Sequence, residues 1–214
     1  MKMPWAMVRK DQTSTIATLC LACLGLPLSP GLAHIDPGAE TETIPFERYA
    51  TVAEIESLRT QLGQAIPQLL LSGFHTDWRT PEAWGQRQAM VTAWSQVDAE
   101  VAAFLGDWTA IEESLAIFPT ATPGTVCIID TYLGGSEFQR GMIIDGALYT
   151  NSGTVLILAG EFLGSIFVAA DEASLYEYSH PGPLRDPATS RFYTHRAPEV
   201  VAAFEAHGCQ VPAP

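Results

Sequence analysis

Between Thr125 and Tyr178 short runs of β-branched and aromatic residues alternate with short turns, most of them carrying glycine, without an internal sequence repeat. Val126 to Tyr132 is the first run, and Gly134 and Gly135 turn the chain after it. Met142, Ile143 and Ile144, then Asp145 and Gly146, then Ala147, Leu148 and Tyr149 form the clearest hairpin. An Asp-Gly pair accepts the positive φ that a two-residue turn demands. Asn151, Ser152 and Gly153 supply the next turn, and Thr154 to Leu158, Leu163 to Ala169 and Ser174 to Tyr178 read as further strands. Parallel neighbours need long crossovers, so strands joined this tightly are antiparallel.

Upstream the period is helical. Thr51 with Glu54 three residues on is a capping box, and Ile55, Leu58, Leu62 and Ile66 follow on one face. Gly63 and Pro67 predict an end or a bend there. Thr80, then Pro81 and Glu82, open a second helix with an apolar stripe through Trp84, Met90, Val91, Trp94, Val97, Val101, Phe104 and Leu105. Gly106 and Asp107 mark a stop or a kink, and a short helix from Trp108 to Phe118 is expected to resume the stripe. Pro119 and Pro123 then separate helix from sheet. Downstream, 180–189 is a proline-rich loop, Arg191 to Thr194 reads as a last short strand, and Pro198 opens a helix that Gly208 closes.

The expected fold is therefore α+β: N-terminal helices packed on an antiparallel β-meander of five to six strands, with one C-terminal helix. It divides as a helical part, 46–118, a sheet part, 124–195, and a helix, 198–207, inside one domain at 46–210.

Residues 1–33 read as an address. Arg9 and Lys10 precede an apolar run from Ile16 to Leu28, and Pro30, Gly31, Leu32 and Ala33 end it, the pattern of an export signal cut after Ala33. Residues 34–45 are polar and acidic and read as a flexible leader. The expected location is extracytoplasmic, periplasm or its equivalent, with no membrane span once the signal is removed. Beyond Ala33 every basic side chain is an arginine, eight against 23 carboxylates, a net charge of −15. Such a surface repels nucleic acid and suits a basic partner. Cys127 and Cys209 are the two cysteines left outside the signal, and an exported protein can pair them.

Motifs for chemistry are sparse. No G-x-S-x-G elbow, phosphate loop or dinucleotide fingerprint is present, so no cofactor is assigned. His75 and Asp77 share a loop between helices, without a third metal ligand near them in sequence. His180 and His195 flank the proline loop; with Asp130 or Glu177 they define a candidate hydrolytic or metal-dependent site. Tyr176, Tyr178, Arg185, Arg191, Tyr193 and Arg196 concentrate aromatic and guanidinium groups of the kind enriched at protein interfaces. The leading expectation is an exported, soluble, non-enzymatic protein that contacts another protein or an envelope component. The alternative is the hydrolase or metal-dependent enzyme built on His180, His195 and a carboxylate.

Overall fold

The computed structural model describes residues 48–212. The signal at 1–33 and the leader at 34–45 lie outside the described residues.

Three helices come first: α1 (Val52–Leu71), α2 (Pro81–Ser95) and α3 (Ala99–Phe104). Each starts on a side chain that accepts a backbone N–H: Thr51 from Glu54, in the full capping box, Thr80 from Ala83, and Asp98 from Val101. α1 continues through Pro67 to Leu71, because Ile55 and Leu62, with Leu58, Ile66 and Leu69 beside them, pack against the sheet on both sides of the proline. Burial of that face outweighs the hydrogen bond the proline forfeits.

Eight strands follow: β1 (Gly106–Thr109), β2 (Glu113–Pro119), β3 (Thr125–Tyr132), β4 (Gly135–Ile144), β5 (Ala147–Thr150), β6 (Val155–Ala159), β7 (Phe162–Ala169) and β8 (Glu172–Gly182). Every neighbouring pair is antiparallel, and β1 also pairs with β8, so the sheet closes into a barrel. The expected open meander of five to six strands is thus corrected to a closed barrel of eight. The segment expected to be a helix from Trp108 to Phe118 is the source of the difference. It forms β1 and β2, a hairpin whose register sets Trp108 opposite Leu115. The other correction lies downstream. Arg191 to Thr194 belongs to a helix, α4 (Arg191–Arg196), which precedes α5 (Pro198–Ala206), so the C-terminal side carries two helices. The Asp145–Gly146 turn has the positive φ values expected of it, 50° and 71°.

Closure divides the side chains into an inside and an outside. Leu115 and Ile117, Val126 and Ile128, Leu148, Leu156 and Leu163 face inward. Met90, Val101, Phe104 and Leu105 of α2 and α3 join that same cluster and plug one end, where Asp98 also accepts the Gly124 N–H at 2.7 Å. On the outside, α1 covers Ala147, Val155, Ile157, Phe162 and Ile166. α5 covers Ala116, Phe118, Cys127 and Ile129 through Ala197, Val200 and Phe204. Cys127 is bonded to Cys209, 82 residues apart with Cα atoms at 5.9 Å, which fastens the chain after α5 to β3.

Removing that bridge by Cys127→Ala with Cys209→Ala is expected to cost about 2–4 kcal/mol through the looser unfolded chain. Urea denaturation measures it. Without reductant, neither cysteine should take up a thiol reagent.

Candidate functional site

The plugged end of the barrel brings three distant segments together. The loop after α1 supplies His75, Asp77 and Arg79, the β6–β7 turn supplies Glu161, and the end of β8 supplies Ser179 and His180. His75 anchors the loop. It is buried, and its Nδ1 lies 3.0 Å from Ser179 Oγ. Burial, with His180 close by, holds the His75 imidazole below its ordinary pKa, so the neutral ring is favoured. Phe162 stands between the two histidines, with ring centroids 5.6 Å from His75 and 5.7 Å from His180.

His180 sits at a positive φ of 49°, and its backbone N–H donates to Glu161 O at 3.0 Å. Its ring is fixed by a second bond. Nε2 lies 3.0 Å from the His75 carbonyl oxygen, which can only accept, so Nε2 carries a hydrogen. In the neutral ring Nδ1 is then a lone pair. It faces Glu161 Oε2 at 3.5 Å and Asp77 Oδ2 at 3.8 Å, and it makes no hydrogen bond among the described residues. Nδ1 and the two carboxylate oxygens converge, and the carboxylates call for positive charge beside them.

Arg79 supplies part of that charge. Its Nη2 donates to Asp77 Oδ2 at 2.7 Å and to Glu161 Oε2 at 2.6 Å, while Nη1 donates to Pro181 O at 3.2 Å. The Arg79 hydrogen bonds hold Asp77 down at about 2. Burial pushes Glu161 the other way, but its bonds to Arg79 prevail and its carboxyl is also lowered. Both are carboxylates near neutral pH. Asp77, Glu161 and His180 are the one group of three ligand-bearing side chains, among the described residues, whose donor atoms fall within 4.8 Å of one another. Donors about 2.0–2.2 Å from a tetrahedral zinc lie roughly 3.3–3.6 Å apart, so this set needs only a small adjustment to share an ion.

The residues named from sequence are dispersed. His180 is in the cluster. His195 is on α4, beside Arg191, Phe192 and Arg196 around a shallow hollow. Asp130 faces the barrel interior toward the opposite end, in a cavity of about 30 Å³ with Gln139, Thr150, Ser165 and Tyr178. Tyr178 is buried and donates to Glu113 Oε2 at 3.0 Å; Tyr176 stacks edge-on against it at 5.2 Å. Tyr193 bonds Thr131 at 3.1 Å from outside the barrel. Tyr176 and Tyr178 therefore do not share one exposed patch with Tyr193, Arg185, Arg191 and Arg196. The expected non-enzymatic interaction protein is corrected by the cluster, which gathers His180 with Asp77 and Glu161 in a metal-capable arrangement. Glu161 was missed because in sequence it only interrupts an apolar run, 82 residues from Arg79.

No protein-family model, no curated protein and no solved structure matches the chain.

Two carboxyls give stability opposite pH dependences. Burial, then repulsion from Glu113 and Glu137, raises Asp130 to about 7. Its folded pKa exceeds the unfolded one, so folding retains the proton, and stability falls as pH rises from about 4 through 7. Asp77 is depressed, so its contribution is present above about 4 and is lost as pH falls toward 2. Thermal denaturation from pH 4 to 8 should show the first decline, and Asp130→Asn should flatten it and be the more stable protein at pH 8.

Proposed function

We propose that the chain is a metal-dependent enzyme, hydrolytic in type, with Asp77, Glu161 and His180 as the ligands of one divalent ion. The observation that carries this reading is Nδ1 of His180, without a hydrogen-bond partner among the described residues and facing two carboxylate oxygens, on a ring oriented by the His75 carbonyl. An imidazole with two carboxylates suits zinc or manganese better than calcium, which takes oxygen ligands almost alone. Three protein ligands leave a coordination position open, as catalytic sites require. A bound ion would acidify water and polarise a carbonyl or phosphoryl oxygen. His75 would act by positioning, since its carbonyl fixes the His180 tautomer. Arg79 shares the two oxygens and acts as the internal counter-ion that a metal displaces. His195 has no part in this centre, and Asp130 lies elsewhere in the barrel.

The proposal places the enzyme outside the cytoplasm after loss of residues 1–33. The signal pattern and the Cys127–Cys209 bridge, a bond that persists in oxidising compartments, support that placement. No helix among the described residues is long and apolar enough to cross a membrane. The acidic surface argues against a nucleic acid substrate.

Calorimetric titration with zinc chloride and with manganese chloride tests the centre. One ion should bind per chain. His180→Ala and Glu161→Gln should each weaken binding at least tenfold, while His195→Ala leaves it unchanged. Undiminished binding by His180→Ala, or none by the unaltered protein, would refute the reading. Arg79→Gln gives a second signature: the metal-free protein loses about 1–3 kcal/mol of stability with the partners of a buried guanidinium, yet binds the ion more tightly.

A further inference from the structure

The two outer covers of the barrel leave a gap. α5 shields the outward residues of β2 and β3, and α1 shields those of β5 to β8. Between them the outward side chains of β4 stand uncovered: Arg140, Met142 and Ile144, with Met142 52 % and Ile144 48 % exposed. The register extends this strip sideways, since Met142 lies between Thr125 on β3 and Tyr149 on β5. Two walls make it a groove. Tyr49, just before α1, stands edge-on to Tyr149 at 5.4 Å and donates to Thr150 O at 2.7 Å. His207, just after α5, packs on Phe138 at 5.1 Å. The open space between these walls is about 750 Å³, within the range of small-molecule sites.

The lining combines an apolar floor with one guanidinium. Arg140 makes no ion pair among the described residues, and its backbone N–H is held by Asn151 Oδ1 at 2.7 Å. No Asp or Glu lines the groove, although the chain as a whole carries a net charge of −13. A cation at one end of an apolar strip is complementary to an anion with an apolar tail. Arg140, Met142 and Ile144 alternate along one strand and so span about 13 Å, enough to lay an extended chain beside them.

We propose that this groove binds an amphipathic carboxylate, such as a medium-chain fatty acid, with its head on Arg140 and its tail across Met142, Ile144 and Tyr149. The guanidinium donates two parallel N–H bonds to the carboxylate, and the tail leaves water by covering the exposed strip. The groove is separate from the Asp77–Glu161–His180 cluster, so the two readings stand or fall independently.

Calorimetry with octanoate, octanol and octylammonium tests it. Octanoate should bind one per chain, with the neutral alcohol at least tenfold weaker and the ammonium weaker still. Arg140→Gln should lower octanoate affinity at least tenfold, and Met142→Glu, at an exposed position, should abolish it; thermal denaturation checks that both variants stay folded. Octanoate that fails to bind at millimolar concentration, that binds no better than octanol, or that binds Arg140→Gln and Met142→Glu unchanged overturns the proposal.

Discussion

The pairing of β1 with β8 gives the molecule an interior. Without it both strands would be free edges, and the inward residues of the sheet would form one face of an open layer. With it Asp107 meets Gly182 and Thr109 meets Ser179, and the Thr109 hydroxyl adds a bond to the Ser179 carbonyl at 3.3 Å. The seam is tight. Gly106 holds a φ of 143°, and a Cβ placed there would come within 2.8 Å of Pro181 Cβ and 3.2 Å of the Gly182 oxygen. Glycine is needed at this point for conformation and for room alike. The same seam fixes the last residues of β8, so Ser179 and His180 are held on the β7 side while the loop carrying His75 folds across them. Closure of the barrel and assembly of the candidate metal centre therefore depend on one stretch of backbone.

Closure also explains which parts of the fold could be read from the chain. Turns are local. Asp145–Gly146, Gly134–Gly135 and Ser152–Gly153 carry their chemistry in adjacent residues, and each marks a real reversal. Helix starts are equally local, which is why Thr51 and Thr80 announce α1 and α2. The β1–β8 pairing joins residues about 70 apart in sequence, with no signature at either end. β1 has only four residues, and its Trp108 falls on the helical stripe that precedes it. The stripe itself is meaningful: Val101, Phe104, Leu105 and Trp108 do enter one cluster. Their common destination is the barrel interior, and a helix is not the only way to reach it.

The candidate centre divides along the same line. His75 and Asp77 stand out in sequence because a histidine and a carboxylate share a short loop, and His180 because it begins a proline loop. What makes them a unit is contributed from 82 and 105 residues away. Glu161 occupies a turn where an acidic residue is unremarkable in sequence, and only the fold sets it beside His180. The pairing of His180 with His195 fails for a related reason. With Arg191 to Thr194 as a strand the two histidines could have met at one sheet end, but the chain leaves β8 through a 3₁₀ turn at Pro187–Thr189 into the helix α4, which carries His195.

Two arrangements of charge inside this barrel show how differently the fold treats carboxylates. Asp130 is set among Glu113 and Glu137 with no cation against it among the described residues, and its carboxyl is raised to about 7. Asp77 and Glu161 also lie near each other, but one Arg79 nitrogen donates to both, and both stay ionised. Ionised oxygens beside an imidazole nitrogen form a place for positive charge, whereas a protonated carboxyl beside a tyrosine offers a hydrogen bond. Arg79 neutralises one of the two negative charges and leaves Nδ1 of His180 without a hydrogen-bond partner among the described residues. A proton on Nδ1 or a divalent ion would complete the balance. The ion does so with more charge and with bonds to all three donors, which is the physical reason to assign the metal to this end of the barrel and to leave Asp130 outside it.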